Sequence, residues 1–169
     1  ELIGEALRSQ ALDAVQLGLA LLLVGDSQGS AELVSDRAGD CVSALAPQLP
    51  LALGAEATDD LAAAEFLSQY GRCRRLQGDA AAARPLFESA LQRRTAAGRD
   101  ALRAESQADL ALLLLDEGRP TDAIVALRGA LDLLRGSAGE RNALGAHIWQ
   151  SLGAAYARGG DEHEAEAAL

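Results

Sequence analysis

The sequence contains no lysine and no methionine, and aromatic residues make up only 3% of its 169 positions. Its 15 basic residues are therefore all arginine. So few aromatic side chains leave no platform on which nucleic-acid bases could stack. The net charge of −10 also disfavours general binding to a polyanion. We therefore expect no direct nucleic-acid partner.

A long apolar run is also missing. The most apolar stretch, residues 11–24, is about 14 residues long and contains Asp13 and Gln16, whereas a membrane-spanning helix needs roughly 20 residues. No basic segment precedes it, so a signal peptide is not expected. We predict no membrane partner and a cytoplasmic location. Since the chain does not begin with methionine and is poor in lysine, isoleucine and asparagine, we also expect a segment of a larger, bacterial protein.

Potential metal ligands are few and poorly spaced. The two cysteines, Cys41 and Cys73, are far apart and match no metal-binding spacing. We expect reduced, partly buried thiols; the alternative, a disulfide, requires an oxidising compartment. His163 has acidic neighbours, but consecutive residues on a helix do not face one way, and no second cluster completes a site. We expect no metal and no cofactor.

What the chain does contain is a repeat built from helix-favouring residues. Alanine and leucine supply about two fifths of the sequence. A Gly-Asp or Gly-Arg pair follows successive apolar stretches, at positions 25–26, 78–79, 118–119 and 160–161. Seven residues before each pair, on the same helical face, stands a small residue: Gly18, Gly71, Ala111 and Gly153. The glycine of each pair is suited to end a helix.

A second small-large-small stripe follows the glycine. It consists of Ala83, Phe87 and Ala90 in one copy and of Ala123, Leu127 and Ala130 in the next. Spacings of four and three residues place each set on one face of a helix. Each copy is therefore predicted to be a helix, a tight turn and a second helix.

The last copy has the fullest pattern: Trp149, Leu152, Gly153, Tyr156, Gly160 and Ala165. This W-x2-L-G-x2-Y arrangement resembles the tetratricopeptide repeat (TPR) family. Residues 83–91 are similar to its long-period subclass of about 42 residues, known from kinesin light chains and bacterial regulators. The resemblance implies an all-α fold, a right-handed α-solenoid of stacked antiparallel helix pairs. It also implies that Pro85 is tolerated near a helix start.

We predict one domain over residues 1–169, with repeats at about 11–46, 64–97, 104–137 and an incomplete copy at 146–169. Residues 47–58 are expected to be an insertion or a loop, with Pro47 and Pro50 ending the helix before it. Helices are predicted at residues 2–24, 30–46, 58–77, 80–97, 100–117, 120–135, 142–158 and from 161 onward. Because the sequence stops within its eighth helix, we expect further repeats or self-association at that edge.

In the TPR family the first helix of each repeat lines a concave groove. Carried onto this sequence, the resemblance places the following residues in the groove: Glu65, Ser68, Arg72, Arg75, Glu105, Ala108, Leu112, Leu115, Asp116, His147, Gln150, Ala154 and Arg158. This mixture suits an extended or helical peptide with apolar anchors and a few charges. The predicted function is noncatalytic recognition of a protein or peptide, in a sensory or scaffold segment of a bacterial regulator.

The charge distribution leaves two interpretations open. Residues 72–103 hold eight arginines against three acids, in an otherwise acidic chain. They form either a solvated surface paired with nearby acids, or an anion-accepting band that favours an acidic peptide through bidentate arginine pairing. In the second interpretation Arg72 and Arg75 are the charge anchors. The other arginines named for the band are Arg74, Arg93, Arg94, Arg99 and Arg103.

The sequence also contains features of two other function classes. The sequence Gly-Asp-Ser-Gln-Gly at 25–29 matches G-x-S-x-G, which in an α/β-hydrolase would make Ser27 a nucleophile with His147 or His163 as its base. However, residues 25–26 occupy the repeat's Gly-Asp position, Ser30 suits a helix N-cap, and the required strands are missing. We therefore predict no enzyme. The third class is an assembly element that forms homo-oligomers through exposed solenoid ends.

Overall fold

The computed structural model describes residues 31–54, 60–135 and 143–168, and every regular element in these ranges is helical. The α-helices are α1 (Ala31–Leu45), α2 (Leu49–Leu53), α3 (Asp60–Leu76), α4 (Ala80–Ala96), α5 (Asp100–Asp116), α6 (Pro120–Leu134), α7 (Ala143–Gly159) and α8 (Glu162–Ala168). Consecutive helices pack in antiparallel pairs, which confirms the predicted all-α, TPR-like class. The helix predicted at 2–24 lies outside the described residues. None of the described helices is long and apolar enough to cross a membrane.

In the segment 47–58, expected to be an insertion or a loop, the part that the structure describes is helical rather than a loop. A single 3₁₀ turn (Ala46–Gln48) and α2 follow α1 directly. Pro47 and Pro50 stand in the first turn of these short helices, where a missing backbone N–H costs no intrahelical hydrogen bond. Helix α1 thus ends at Leu45, before Pro47 as expected, and both prolines also begin short helices. Residues 55–59 lie outside the described ranges.

Four tight turns between consecutive helices share one geometry. Gly78, Gly98, Gly118 and Gly160 have φ between 64° and 82°, a left-handed conformation that glycine adopts without a steric penalty. In each turn the next residue's N–H reaches back five residues, as from Asp79 to the Arg74 carbonyl at 3.0 Å. The Asp79 side chain then accepts a hydrogen bond from the N–H of Ala82, at 3.0 Å, and so caps α4. The recurring glycine therefore ends one helix where the next begins.

The chain divides into two compact units, Glu1–Arg93 and Arg94–Leu169. The first unit has a core of apolar residues from α1 to α4: Cys41, Val42, Leu45, Ala52, Ala64, Phe66, Leu67, Tyr70, Cys73, Leu86 and Ala90. Gly71 is essential to this packing, because a Cβ there would lie 2.6 Å from the Phe87 ring. The small residue of the first helix therefore lets α4 approach α3.

The two cysteines of the first unit form a disulfide, so the expectation of reduced thiols was wrong. Cys41 on α1 and Cys73 on α3 have Cα atoms 6.1 Å apart, within the usual range for a bridge. The residues are 32 positions apart in sequence. Their proximity arises from the packing of α1 on α3, which the spacing of the cysteines did not reveal.

The second unit has a core made mostly of alanine and leucine. It contains Ala104, Ala108, Ala111, Leu115, Ala123, Leu127, Ala130, Leu134, Ile148, Leu152, Ala155, Tyr156 and Ala165. Within this unit α5 packs on α6, α6 on α7, and α7 on α8. Because each helix buries its stripe against the next, stability depends on contacts between neighbouring helices, as expected for a repeat protein.

Candidate functional site

In the first unit, α3 carries four of the predicted groove residues, and the structure places them differently. Arg72 and Arg75 are partly exposed near the end of the helix. Glu65 is also partly exposed and accepts a hydrogen bond from the Gln69 amide at 2.8 Å. Ser68 is fully buried, and its hydroxyl has no hydrogen-bond partner among the described residues. Ser68 is therefore enclosed in the packing rather than presented to a partner.

Several arginines of the proposed basic band are paired locally. Arg74 donates a hydrogen bond to the Tyr70 hydroxyl at 3.0 Å and lies 3.5 Å from a carboxylate oxygen of Asp79. Arg103 lies 2.6 Å from Asp100. These contacts agree with the interpretation of an arginine surface paired with nearby acids.

Arg94 cannot act as an exposed member of that band, because its side chain is 0% exposed. Its guanidinium donates to the Ser106 hydroxyl at 2.9 Å and to the Leu102 carbonyl at 3.3 Å, and lies 3.4 Å from Glu105. A buried guanidinium is tolerated only where hydrogen bonds and an opposite charge compensate for its desolvation. Arg94 thus holds the end of α4 against the first half of α5.

In the second unit, the structure brings together the ends of two first helices, α5 and α7. Arg158, near the end of α7, donates a hydrogen bond to the carbonyl of Leu115 at 3.2 Å. The last turn of a helix carries unpaired carbonyls and partial negative charge, so a guanidinium is favourable there. The predicted groove stripes of α5 and α7 therefore meet at their carboxyl ends.

The predicted residues of these two helices differ in exposure. Ala108 and Leu115 are buried in the core, whereas Glu105 and Leu112 are partly exposed and Asp116 is exposed. On α7, spacings of three or four residues place four exposed residues on one face: His147, Gln150, Ala154 and Arg158. We call the accessible set the α5–α7 surface; it comprises Glu105, Leu112, Asp116, His147, Gln150, Ala154 and Arg158.

The second unit also has a cavity that sequence reasoning missed. It measures about 500 Å³ and is lined by residues of α6 with its C-cap, α7 and α8: Arg128, Leu131, Asp132, Arg135, Trp149, Leu152, Tyr156, Glu164 and Ala167. The Arg128 guanidinium lies over the Tyr156 ring, 5.5 Å from its centre, and Trp149 is 42% exposed. In the sequence, Trp149 and Tyr156 stand out only as repeat-pattern residues. Two aromatic residues close in sequence could have suggested a partly open aromatic surface. Their spacing alone could not show that α6 and α8 enclose a cavity beside them.

The remaining chemical candidates do not assemble into a site within the described residues. His147 on α7 and His163 on α8 are both exposed, and Ser27 lies outside the described ranges. Residues 31–54, 60–135 and 143–168 contain no group of three or more metal-binding side chains placed to hold an ion. The helices seen in those ranges do not provide the parallel sheet that a nucleophile elbow requires.

The profile of the tetratricopeptide repeat family matches residues 60–135. The chain also resembles the crystal structure of a candidate kinesin light chain with nearly identical TPR-like repeats from Podosopora anserina, with a TM-score of 0.64. That match covers 99% of this chain and 89% of the other, at 15% sequence identity. BtubC (BKLC) from P. vanneervenii is similar, with a TM-score of 0.56 and 16% identity over 97% of this chain and 88% of that one.

At these identities the two structural likenesses concern the fold alone. No functionally curated protein matches the sequence closely enough to be counted as a relative. The family profile and the helix pairs agree on the same region of the chain. Residues 60–135 therefore match the tetratricopeptide repeat family in sequence, and the described helix pairs have a TPR-like fold.

Proposed function

We propose that this chain is a noncatalytic interaction module that receives an extended peptide or a partner helix on the exposed faces of its first helices. TPR domains are generally protein-interaction modules and are typically noncatalytic. The observation that carries the proposal is the hydrogen bond from Arg158 to the Leu115 carbonyl. It joins the carboxyl ends of α5 and α7, so the side chains of both helices can contact one ligand.

The α5–α7 surface has the chemistry that a peptide groove needs. Leu112 offers an apolar anchor, while Asp116 and Arg158 supply opposite charges and Gln150 supplies both a donor and an acceptor. In the first unit, we propose Arg72 and Arg75 as anchors for acidic side chains, since a guanidinium fork matches a carboxylate. The four-repeat organisation over residues 1–169 and the right-handed solenoid belong to this proposal.

The wider setting that we propose is a sensory or scaffold segment of a cytoplasmic bacterial regulator. The long-period repeat pattern supports it, since the sequence resembles arrays that occur in such regulators. The Cys41–Cys73 disulfide bears directly on the location, because lasting disulfides are rare in the cytosol, where those that occur are usually transient or redox-sensing. A cytoplasmic location therefore requires that this bond respond to the redox state.

The peptide-binding proposal is testable without a known partner, by selecting from a displayed library of random peptides on the full chain. Selected peptides would be measured by fluorescence polarisation against Leu112→Ala with Gln150→Ala, and against Arg72→Glu with Arg75→Glu. We expect at least one pair to lower affinity by about tenfold, the effect of losing about 1.4 kcal/mol of contact. Arg119→Glu is the control for the charge change, because this exposed arginine stands in a turn outside the surface.

Two outcomes would contradict groove binding: no peptide is selected, or every selected peptide binds all variants equally. The second candidate function, self-assembly, is favoured by the partly exposed Trp149 beside the apolar lining of the cavity, Leu131 and Leu152. In that case sedimentation would show a mass that rises with concentration and falls in Trp149→Ala. The groove variants would leave that mass unchanged.

A further inference from the structure

The Cys41–Cys73 bond joins α1 and α3, two helices that contribute residues to the first unit's core. The chain has two cysteines, so no third thiol of its own competes for either sulfur. Cys41 lies on the stripe of α1 that faces α3, and Cys73 lies in the second half of α3. The bond thus closes a long stretch of chain by holding α1 on α3.

Both cysteines are enclosed: Cys41 is 0% and Cys73 3% exposed, among the apolar residues of the core. Thiol–disulfide exchange requires a thiolate to reach one of the two sulfurs. A reductant therefore reaches this bond only when α1 moves off α3. Reduction of the bond and undocking of α1 are consequently coupled events.

Within residues 38–45, the part of α1 whose side chains the structure describes, few other residues share this packing. Apart from Cys41, the buried residues of α1 within 38–45 are Ala38, Val42 and Leu45. Asp40, Ser43 and Ala44 on the same helix are exposed. These three small or medium apolar side chains bury little surface, so within residues 38–45 the covalent bond supplies a large share of what holds the helix on α3. A bridge closing a loop of this length favours the docked state by about a hundredfold or more.

We propose that the Cys41–Cys73 disulfide is a redox latch, which holds α1 on α3 when oxidised and releases it when a dithiol reduces the bond. In the balanced step, the dithiol gives up two electrons and two protons. The S–S bond becomes two thiols, and the dithiol becomes a disulfide. Release exposes the side of α3 that α1 covers, including apolar surface near Tyr70. The second unit contains no cysteine and keeps its structure.

Hydrogen–deuterium exchange of the full chain, with and without dithiothreitol, tests the latch. We expect exchange at residues 38–45 to accelerate by about a hundredfold on reduction, whereas residues 143–159 exchange at the same rate in both states. Cys41→Ala with Cys73→Ala is the matched control. This variant should exchange like the reduced protein at 38–45 and should show no response to dithiothreitol.

Three outcomes would overturn the latch. The first is two titratable thiols in protein prepared under oxidising conditions. The second is an exchange rate at 38–45 that changes less than about twofold on reduction, against the hundredfold that loop closure predicts. The third is equal acceleration at 143–159, which would mean that reduction unfolds the whole chain. None of these readouts uses a partner peptide, so the latch and the proposed binding function succeed or fail separately.

Discussion

In the first unit, Gly71 lies against the ring of Phe87, whereas forty residues later the same two repeat positions hold Ala111 and Leu127. All four residues are buried. The first unit pairs glycine with phenylalanine, whereas the second pairs the larger alanine with the smaller leucine. An increase in side-chain size on one helix is thus accompanied by a decrease on the other. The repeat therefore constrains the summed volume at this helix crossing rather than the residue at either position, as close-packed interiors require.

The junctions between successive helix pairs differ more strongly. Arg94 at the end of α4 and Leu134 at the end of α6 occupy equivalent positions, and both are fully buried. Their counterparts on the next helix are Ser106 and Ile148, which are also buried. One junction is thus polar and hydrogen-bonded, while the other is apolar. Equivalent repeat positions thus accept either chemistry, provided that both sides match.

The largest effect that we expect comes from making only one side of the polar junction apolar. Arg94→Leu removes the hydrogen bonds to Ser106 and Leu102 and leaves Glu105 without its nearby guanidinium. Breaking such a buried network from one side should lower the free energy of unfolding by about 3 kcal/mol. Urea denaturation followed by circular dichroism measures this, with the slope of the transition checked for a change in cooperativity.

Adding Ser106→Ile to Arg94→Leu should recover most of that loss, because the double variant reproduces the residue types at positions 134 and 148. The control is Arg135→Ala, since the Arg135–Asp132 pair is well exposed and should contribute less than about 1 kcal/mol. If Arg94→Leu proved as stable as the parent chain, the polar junction would have no role in stability. A double variant no better than the single one would disprove the equivalence of the two junctions.

A smaller effect is expected at the helix crossing. Gly71→Ala places a methyl group 2.6 Å from the Phe87 ring, which should destabilise the first unit by about 2 kcal/mol through overpacking. Phe87→Leu should rescue it, because that pair is the one found in the second unit. The control is Gly129→Ala on α6, where the nearest atom is 3.7 Å away. There the better helix propensity of alanine should raise stability by up to about 1 kcal/mol. A Gly71→Ala variant that behaved like this control would contradict the volume argument.

Sequence reasoning was most reliable where local chemistry determines the structure. The predicted bounds of α1 and of α3 to α8 lie within two residues of the structure, because glycine turns and apolar stripes mark each helix end directly. It did not predict the short helices within residues 46–53, because prolines that end a long helix also suit the first turn of a short one. A proline at such a position is compatible with a helix end or a helix start, and the packing of α2 on α3 determines which one forms.

The candidate site was less predictable than the fold. Family spacing placed Ser68, Ala108 and Leu115 in the groove, yet all three are buried, because the spacing does not specify how closely neighbouring helices approach. The burial of Arg94 depends on Ser106 twelve residues away, and the disulfide depends on the docking of α1. Such long-range contacts produce no regular pattern in a single sequence, whereas the periodicity of a helix does.

The smallest effect that we expect is at Ser68, where stability and peptide binding can be measured separately. Its buried hydroxyl has no hydrogen-bond partner among the described residues, and the equivalent residue in the second unit is Ala108. Ser68→Ala should therefore raise the free energy of unfolding by about 1 kcal/mol. The matched control is Ser151→Ala, which removes a hydrogen bond from a buried serine to the His147 carbonyl and should bring no such gain.

The same Ser68→Ala variant should bind the selected peptides as well as the parent chain does, because a fully buried side chain offers no atom to a ligand. A stability gain with unchanged affinity would place Ser68 in the packing between helices and leave Arg72 and Arg75 to contact the ligand. If Ser68→Ala weakened peptide binding while stabilising the chain, the hydroxyl would have to become accessible when the ligand binds. Binding would then require α3 to move away from its neighbours, and the face presented by the closed structure would not be the one that a partner contacts.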